Sequence, residues 1–334
     1  MNLFIVGLLL AQTCQALYFY VYDWPEVTNK YSKLKSDHSY DPNFVHNGGA
    51  GLAVNETKAL YSTWQFSLFK MTYQRALKDH RRTMDPSLAT TFVIPYDVGL
   101  DACFRPDNGK MRKVNCPLAP TVTTRLHSSI YFNASAGHDH LLVVSVNQNM
   151  NYFLGAANCQ NFLSGICYNC TKIAIDEYSF LHSINRHEAA LAKRGDYWHA
   201  VPFPSNTHYS SHTVPPFTWS RTNTIDAQRN VLVSYTGSRH SYNHVSMRFR
   251  SAIMDNCDIY NNYTRHDGLT ACSTGKYSAH PGHGQLPLAA RSVFCFQPTG
   301  DMSTRKSVFD SILLGCIPVF FSKLTAPLMY EVRR

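Results

Sequence analysis

Residues 291–321 read RSVFCFQPTGDMSTRKSVFDSILLGCIPVFF, and they hold the densest set of side chains able to do chemistry together. The order is an apolar strand, a Gly-containing turn, a helix and a second apolar strand. Such a turn offers backbone N–H groups and the positive end of a helix dipole to whatever lies above the sheet. Ser303 is placed to cap the helix, Val308, Phe309, Ile312 and Leu313 to form its buried face, and Gly315 to end it. Arg305 and Lys306 fall in the first turn, where cations are unfavourable for the helix itself. An anion over the turn, such as a diphosphate, would reverse that. Asp310 lies roughly 10 Å along the axis from Ser303, where a carboxylate could accept hydrogen bonds from ribose hydroxyls. The plainer alternative is a surface helix with a solvated Lys306–Asp310 pair at i,i+4. On residue types alone both readings stand.

The elements that must carry this turn can be followed along the chain. Tyr18–Tyr22 is a short β-rich run ending in Asp23-Trp24-Pro25. The spacing of Leu60, Trp64, Leu68, Met71 and Leu77 predicts an amphipathic helix over 59–80. Thr91–Pro95 reads as a buried strand with Tyr96 and Asp97 at its C-terminal end. Leu141–Val146 reads as another, preceded by Gly137-His138-Asp139-His140. Residues 202–229 are rich in Pro, Ser and Thr and read as an inter-domain connection. A second unit follows. It has a strand at Asn230–Tyr235 ending in Thr236-Gly237-Ser238-Arg239, and a helix over 242–256 with Val245, Phe249 and Ile253 on one face. Further strands are expected at Val293–Phe296 and Ile317–Phe321. Apolar strands alternating with helices predict an α/β fold whose parallel sheets are covered on both faces.

The chain has 334 residues, enough for two domains. Its charged fraction of 16% excludes an acidic disordered tail and a coiled coil. No apolar run reaches ~18 residues, which excludes a multi-span membrane protein. The net charge of +9 suits an anionic partner. The charge is scattered and has no zinc-finger spacing around it, so nucleic acid is not an expected partner. Residues 1–16, MNLFIVGLLLAQTCQA, have the apolar core and small-residue end of a secretory signal peptide. A buried strand and the remnant of a Golgi signal-anchor are the alternatives. Sequons at Asn55, Asn133, Asn169 and Asn262 and nine cysteines beyond Ala16 agree with a lumenal compartment. Cys103–Cys116 and Cys257–Cys272 are plausible disulfides, each closing a short polar loop, and Cys159, Cys167 and Cys170 form a third group. No second pair completes a zinc site around the C-x-x-C of Cys167 and Cys170. His208 and His212 are read as non-ligands, because their Pro-, Ser- and Thr-rich segment is a poor helix.

The 291–321 segment resembles the donor-site signature of exostosin-like glycosyltransferases. The likeness rests on Ser292, Phe294, Cys295, Pro298, Gly300, Ser303, Thr304, Arg305, Asp310, Gly315, Cys316, Pro318 and Val319. Weaker likeness runs in the same order through Tyr20–Asp23, Asp85-Pro86, Phe92–Tyr96, Gly137–His140, Tyr197–Pro202 and Ser234–Arg239. The resemblance implies a GT-B architecture, in which two Rossmann-like domains face a cleft. The corresponding division is a signal peptide at 1–16, an acceptor-side domain at 17–215, a linker at 216–229 and a nucleotide-sugar-binding domain at 230–334. The last spans roughly 100 residues where ~150 is more usual, so the second domain is expected to be incomplete. The implied activity is inverting transfer from a nucleotide sugar to a glycan or polysaccharide in the secretory pathway, with Golgi lumen or membrane as the implied place. No Asp-x-Asp triplet occurs, so no metal or other cofactor is expected.

Inverting transfer needs a base at the acceptor hydroxyl and positive charge at the departing diphosphate. The motif assigns Arg239, Ser303, Thr304 and Arg305 to the diphosphate and Asp310 to the ribose. The base is sought among Asp97, Asp139 and His140, and Asp139 has the alternative of pairing with a neighbouring His. Trp24, Trp198 and Trp219 are either sugar-stacking or core residues. The competing class is a non-catalytic sugar-binding protein or inactive fragment on the same fold, for which an intact donor motif would be unnecessary.

Overall fold

The structure, a computed structural model, describes residues 17–32, 47–55, 60–64, 67–103, 116–145, 157–175, 198–208, 229–241, 244–260, 270–275, 285–300 and 304–321. The signal-like segment, residues 216–228 of the expected linker, Ser303, His212, Trp219 and the Asn262 sequon lie outside the described residues.

The strands are β1 (Phe19–Val21), β2 (Ala53–Asn55), β3 (Leu60–Tyr61), β4 (Arg82–Thr83), β5 (Thr91–Val93), β6 (His140–Val144), β7 (Thr171–Ile175), β8 (Trp198–Val201), β9 (Val231–Thr236), β10 (Thr270–Gly275), β11 (Ser292–Gln297) and β12 (Ile317–Phe320). The helices are α1 (Pro25–Ser32), α2 (Leu68–Lys78), α3 (Val98–Cys103), α4 (Ala119–His127), α5 (Ile130–Ser135), α6 (Ala157–Asn161), α7 (His244–Tyr260), α8 (Gln285–Ala290) and α9 (Lys306–Leu313).

Two all-parallel sheets organise the chain. The first has the order β4-β1-β5-β6-β7-β8 and the second β10-β9-β11-β12; β2 and β3 form a small antiparallel pair. The continuous apolar runs in β5 and β6 follow from helices covering both faces. Phe92, Ile94, Leu142, Val143 and Val144 are buried in one core with Leu126 of α4 and Phe162. A smaller core joins Leu286, Ala289, Cys295, Leu314 and Cys316. Each sheet changes direction once. From β1 the chain goes outward to β4 and then returns to the other side of β1 at β5. From β9 it goes to β10 and then returns at β11. In open parallel sheets such a switch point leaves a crevice at the C-terminal strand ends, where ligands bind.

Several sequence expectations need correction. The helix expected over 59–80 begins only at Leu68. Leu60 and Tyr61 pair instead with β2, and the Tyr61 N–H donates to the Asn206 carbonyl at 2.8 Å, so tertiary pairing overrides the local period. The last helix begins at Lys306, with Arg305 as its extended cap residue. Its buried residues are Val308, Asp310 and Ser311, with Leu314 buried just beyond its end, while Ile312 and Leu313 are exposed. The helix expected over 242–256 runs over His244–Tyr260, and the face of Val245 and Phe249 is not its buried one: Val245 is 78% exposed and Phe249 40%, whereas Ser246, Arg250 and Cys257 are buried. Disulfides join Cys116–Cys159, Cys167–Cys170, Cys257–Cys272 and Cys295–Cys316. The Cys257–Cys272 pair is as expected. Cys116 bonds Cys159 rather than Cys103, because the chain leaves Cys116 into α4, and α4 packs on α6.

Candidate functional site

The crevice at the β9/β11 switch point is walled by the loop after β9 (Gly237–Ser241) and the turn after β11 (Pro298–Gly300). Arg305 enters it from the start of α9. Its extended backbone, φ −145° and ψ 149°, turns the side chain back over the sheet rather than along the helix. The guanidinium donates to the Thr236 carbonyl at 3.3 Å and the Pro298 carbonyl at 3.4 Å, and lies 5.6 Å from the Tyr235 ring centre. Gly237 and Gly300 make room for cations. A Cβ on Gly237 would come within 2.5 Å of Arg305 Nη2, and one on Gly300 within 2.7 Å of Arg250 Nη2. Arg250, from α7, is buried and donates to the carbonyls of Thr299 at 3.1 Å and His240 at 2.6 Å. Thr304 is buried beside Arg305. Two guanidiniums therefore stand over one switch point, next to the start of a helix. That arrangement can hold an anion with two or more charged oxygens. Among the described residues no group of three or more His, Cys, Asp or Glu could hold a metal ion.

The remaining predicted residues are not gathered there. Arg239 is turned onto α7, where it pairs with Asp255 at 2.6 Å and Asp258 at 3.6 Å. Asp97, Asp139 and His140 do not share a cleft. Asp97 follows β5 at the C-terminal edge of the first sheet and is fully buried. Its Oδ1 accepts the N–H groups of Gly99 and Ser145 at 2.9 and 3.2 Å, capping α3 and fixing the end of β6. Burial pushes its carboxyl up from the usual 3.8 to about 6, against those hydrogen bonds. Asp139 and His140 stand at the opposite edge, since parallel register pairs His140 with Phe92 at the start of β5. Five residues of strand, roughly 16 Å, separate His140 from Ser145. His140 has no exposed surface and stacks on Phe92 at 5.0 Å. Its ring bonds the Tyr22 hydroxyl at 2.8 Å and Asp139 at 2.6 Å, and Asp139 also accepts from Ser135. Burial draws the His140 pKa down, and Asp139 only partly restores it. Trp24 is a core residue, stacked 4.8 Å from Tyr22.

Asp310 points away from the crevice. Its carboxylate accepts from Ser205 Oγ at 2.5 Å, the Asn206 N–H at 2.7 Å, Asn206 Nδ2 at 3.2 Å and Lys306 Nζ at 3.1 Å. The pair expected to be solvated is thus largely withdrawn from solvent against the loop after β8, Asp310 buried and Lys306 half-buried. Burial draws the Lys306 ammonium down in spite of Asp310. His208, in the same loop, bonds Thr63 at 2.8 Å, and burial with nearby Lys306 and Arg75 holds it down at about 4. Phe203 meets Phe309 of α9, and Leu60 packs on the second core, so this loop and α9 join the two sheets.

The Exostosin GT47 domain family matches residues 13–327 of the chain. The chain belongs to the exostosin GT47 family. Its curated relatives include three proteins of Arabidopsis thaliana. Xyloglucan-specific galacturonosyltransferase 1 is 26% identical over 95% of this chain and 46% of its own length. Probable xyloglucan galactosyltransferase GT19 is 30% identical over 86% and 64%, and Xyloglucan galactosyltransferase XLT2 is 25% identical over 96% and 60%. The chain therefore spans between about half and two thirds of the length of these relatives. The exostosin GT47 signature read in 291–321 falls into two parts in space. Pro298, Gly300, Thr304 and Arg305 lie at the crevice, whereas Asp310 lies at the junction of the sheets. Cys295 and Cys316 of the signature bond β11 to the start of β12. Arg250 was missed by sequence reasoning. The signal for it was present: Cys257 is fixed inward by its disulfide, and Arg250, two turns earlier, shares its face of the helix.

Proposed function

We propose that the chain is an inverting glycosyltransferase that moves a sugar from a nucleotide-sugar donor to a xyloglucan-type polysaccharide. The observation that carries this reading is the crevice at the β9/β11 switch point, with Arg305 held over it. Family membership supports the reaction class, and the names of the relatives support the acceptor class. In this reading Arg305, Thr304 and the neighbouring Ser303 meet the diphosphate, and the start of α9 helps to stabilise the charge that develops on the leaving group. Asp310 is left out of the donor site, because four protein donors already fill its carboxylate. Arg239 is left out because its charge is taken by α7. Asp139 and His140 act as the polar floor of the first sheet rather than as the base.

The arrangement we favour is GT-B, with acceptor-side residues 17–215 and donor-side residues 230–334. The loop after β8 and the start of α9 both follow C-terminal strand ends and touch at Asp310, which supports a common side for those two edges. Four disulfides suit an oxidising compartment, which supports a lumenal, Golgi-type location. Among the described residues no helix is long and apolar enough to cross a membrane. A panel of nucleotide sugars incubated with the chain and xyloglucan oligosaccharides tests the proposal. Transfer from one donor, with inverted anomeric configuration in the product, is expected. Absence of transfer from every donor, together with no affinity for any nucleoside diphosphate, would favour a non-catalytic sugar-binding protein.

A further inference from the structure

We infer that Arg250 is a positioning residue for the diphosphate end of that donor site, an inference that rests on the reading above. Arg250 lies on the face of α7 that propensity would have left in solvent. It is 6% exposed, so its donors must be met inside the protein. They are met by the two walls of the crevice. Nε donates to Thr299 O at 3.1 Å in the turn after β11, and Nη1 donates to His240 O at 2.6 Å and Ser238 O at 3.4 Å in the loop after β9. Ser246, one turn earlier on α7, also donates to Thr299 O. One buried guanidinium thus ties together the walls between which Arg305 lies. Both arginines pack on Gly300: a Cβ there would sit 2.7 Å from Arg250 Nη2 and 3.3 Å from Arg305 Cγ. Carbonyl oxygens alone would repel a diphosphate. A cation bonded behind them offsets that repulsion and adds its own field at short range. Lysine in its place keeps the charge but loses the fork that reaches both walls.

The test is calorimetric titration of the wild type, Arg250→Lys and Ser246→Ala with UDP, UMP, GDP and GMP, alongside thermal melting. Arg250→Lys is expected to lose about tenfold or more in affinity for the preferred diphosphate and much less for its monophosphate. Ser246→Ala is expected to move the same ratio in the same direction by less, with only a small fall in melting temperature from the lost buried hydrogen bond, and it decides the matter if Arg250→Lys does not fold. A general structural defect would lower both affinities together. If the wild type prefers a diphosphate and the variants keep the wild-type ratio, the role of Arg250 is overturned while the donor-site reading stands. If the wild type has no affinity for UDP or GDP, the donor-site reading itself fails.

Discussion

Arg305 and Lys306 are neighbours in sequence and take opposite directions in the fold. Arg305 is the extended cap residue and reaches the crevice, while Lys306 is the first helical residue and, half-buried, pairs with the buried Asp310. The motif alone made Arg305 legible. It did not reveal that Asp310 faces the junction, because the direction of a helical side chain depends on how the helix is set by its start, and the cap lies two residues later than expected, at Arg305 rather than Ser303. Asp97 was legible as a strand-end carboxylate but not as a buried cap. Its raised pKa has a definite consequence. The folded state holds this proton more tightly than the unfolded chain, so the stability it contributes is complete below about pH 4 and is lost as pH rises through about 6. A shift of this size corresponds to about 3 kcal/mol. Urea denaturation of wild type and Asp97→Asn at pH 4 and pH 7 is expected to show the wild type losing stability relative to Asp97→Asn as pH rises, a difference in which the opposite contributions of His140 and His208 cancel. Asp97→Asn should also retain glycosyl transfer; its complete loss in a folded protein would return Asp97 to the list of bases.

At the level of elements, strands were easier to read than helices. β5, β6, β9 and β11 are apolar runs whose burial on two faces leaves no choice of side. Helices must choose a face, and here polar groups won two of the choices. In α7, Ser246 and Arg250 turn inward because loop carbonyls need donors. In α9, Asp310 and Ser311 turn inward, Ser311 bonding Gln297 at 2.9 Å. The predicted 59–80 helix failed for a related reason: its first half pairs with β2 and the Asn206 loop. The junction built on Asp310 is open to direct measurement. Removing that carboxylate leaves the half-buried Lys306 ammonium without its counter-charge and the buried Ser205 and Asn206 donors without an acceptor, so Asp310→Ala is expected to destabilise the protein by about 2–4 kcal/mol in chemical denaturation. Asp310→Asn, which keeps an acceptor for Asn206, should cost less. Equal, negligible losses in both would mean that the two sheets are joined mainly by Phe203, Phe309 and Leu60.

For the whole molecule, two parallel sheets each wound outward and back create two switch points, both on C-terminal edges. That much of the architecture followed from alternating strands and helices. The site did not follow from net charge. The balance of +9 is dispersed, and the candidate site gathers two arginines from α7 and the start of α9, 55 residues apart in sequence. In the function proposed, this crevice receives the diphosphate of a nucleotide sugar, with Arg305 as its main cation. Titration of wild type, Arg305→Ala and Gly237→Ala with UDP and GDP tests it most directly. The wild type should bind one of the two saturably. Arg305→Ala should weaken that binding about tenfold or more. Gly237→Ala, whose new methyl would press on both the guanidinium and the buried Tyr235 ring, should weaken it as well and lower the melting temperature. Unchanged affinity in Arg305→Ala, or no diphosphate binding by the wild type, would rule out a diphosphate site in this crevice.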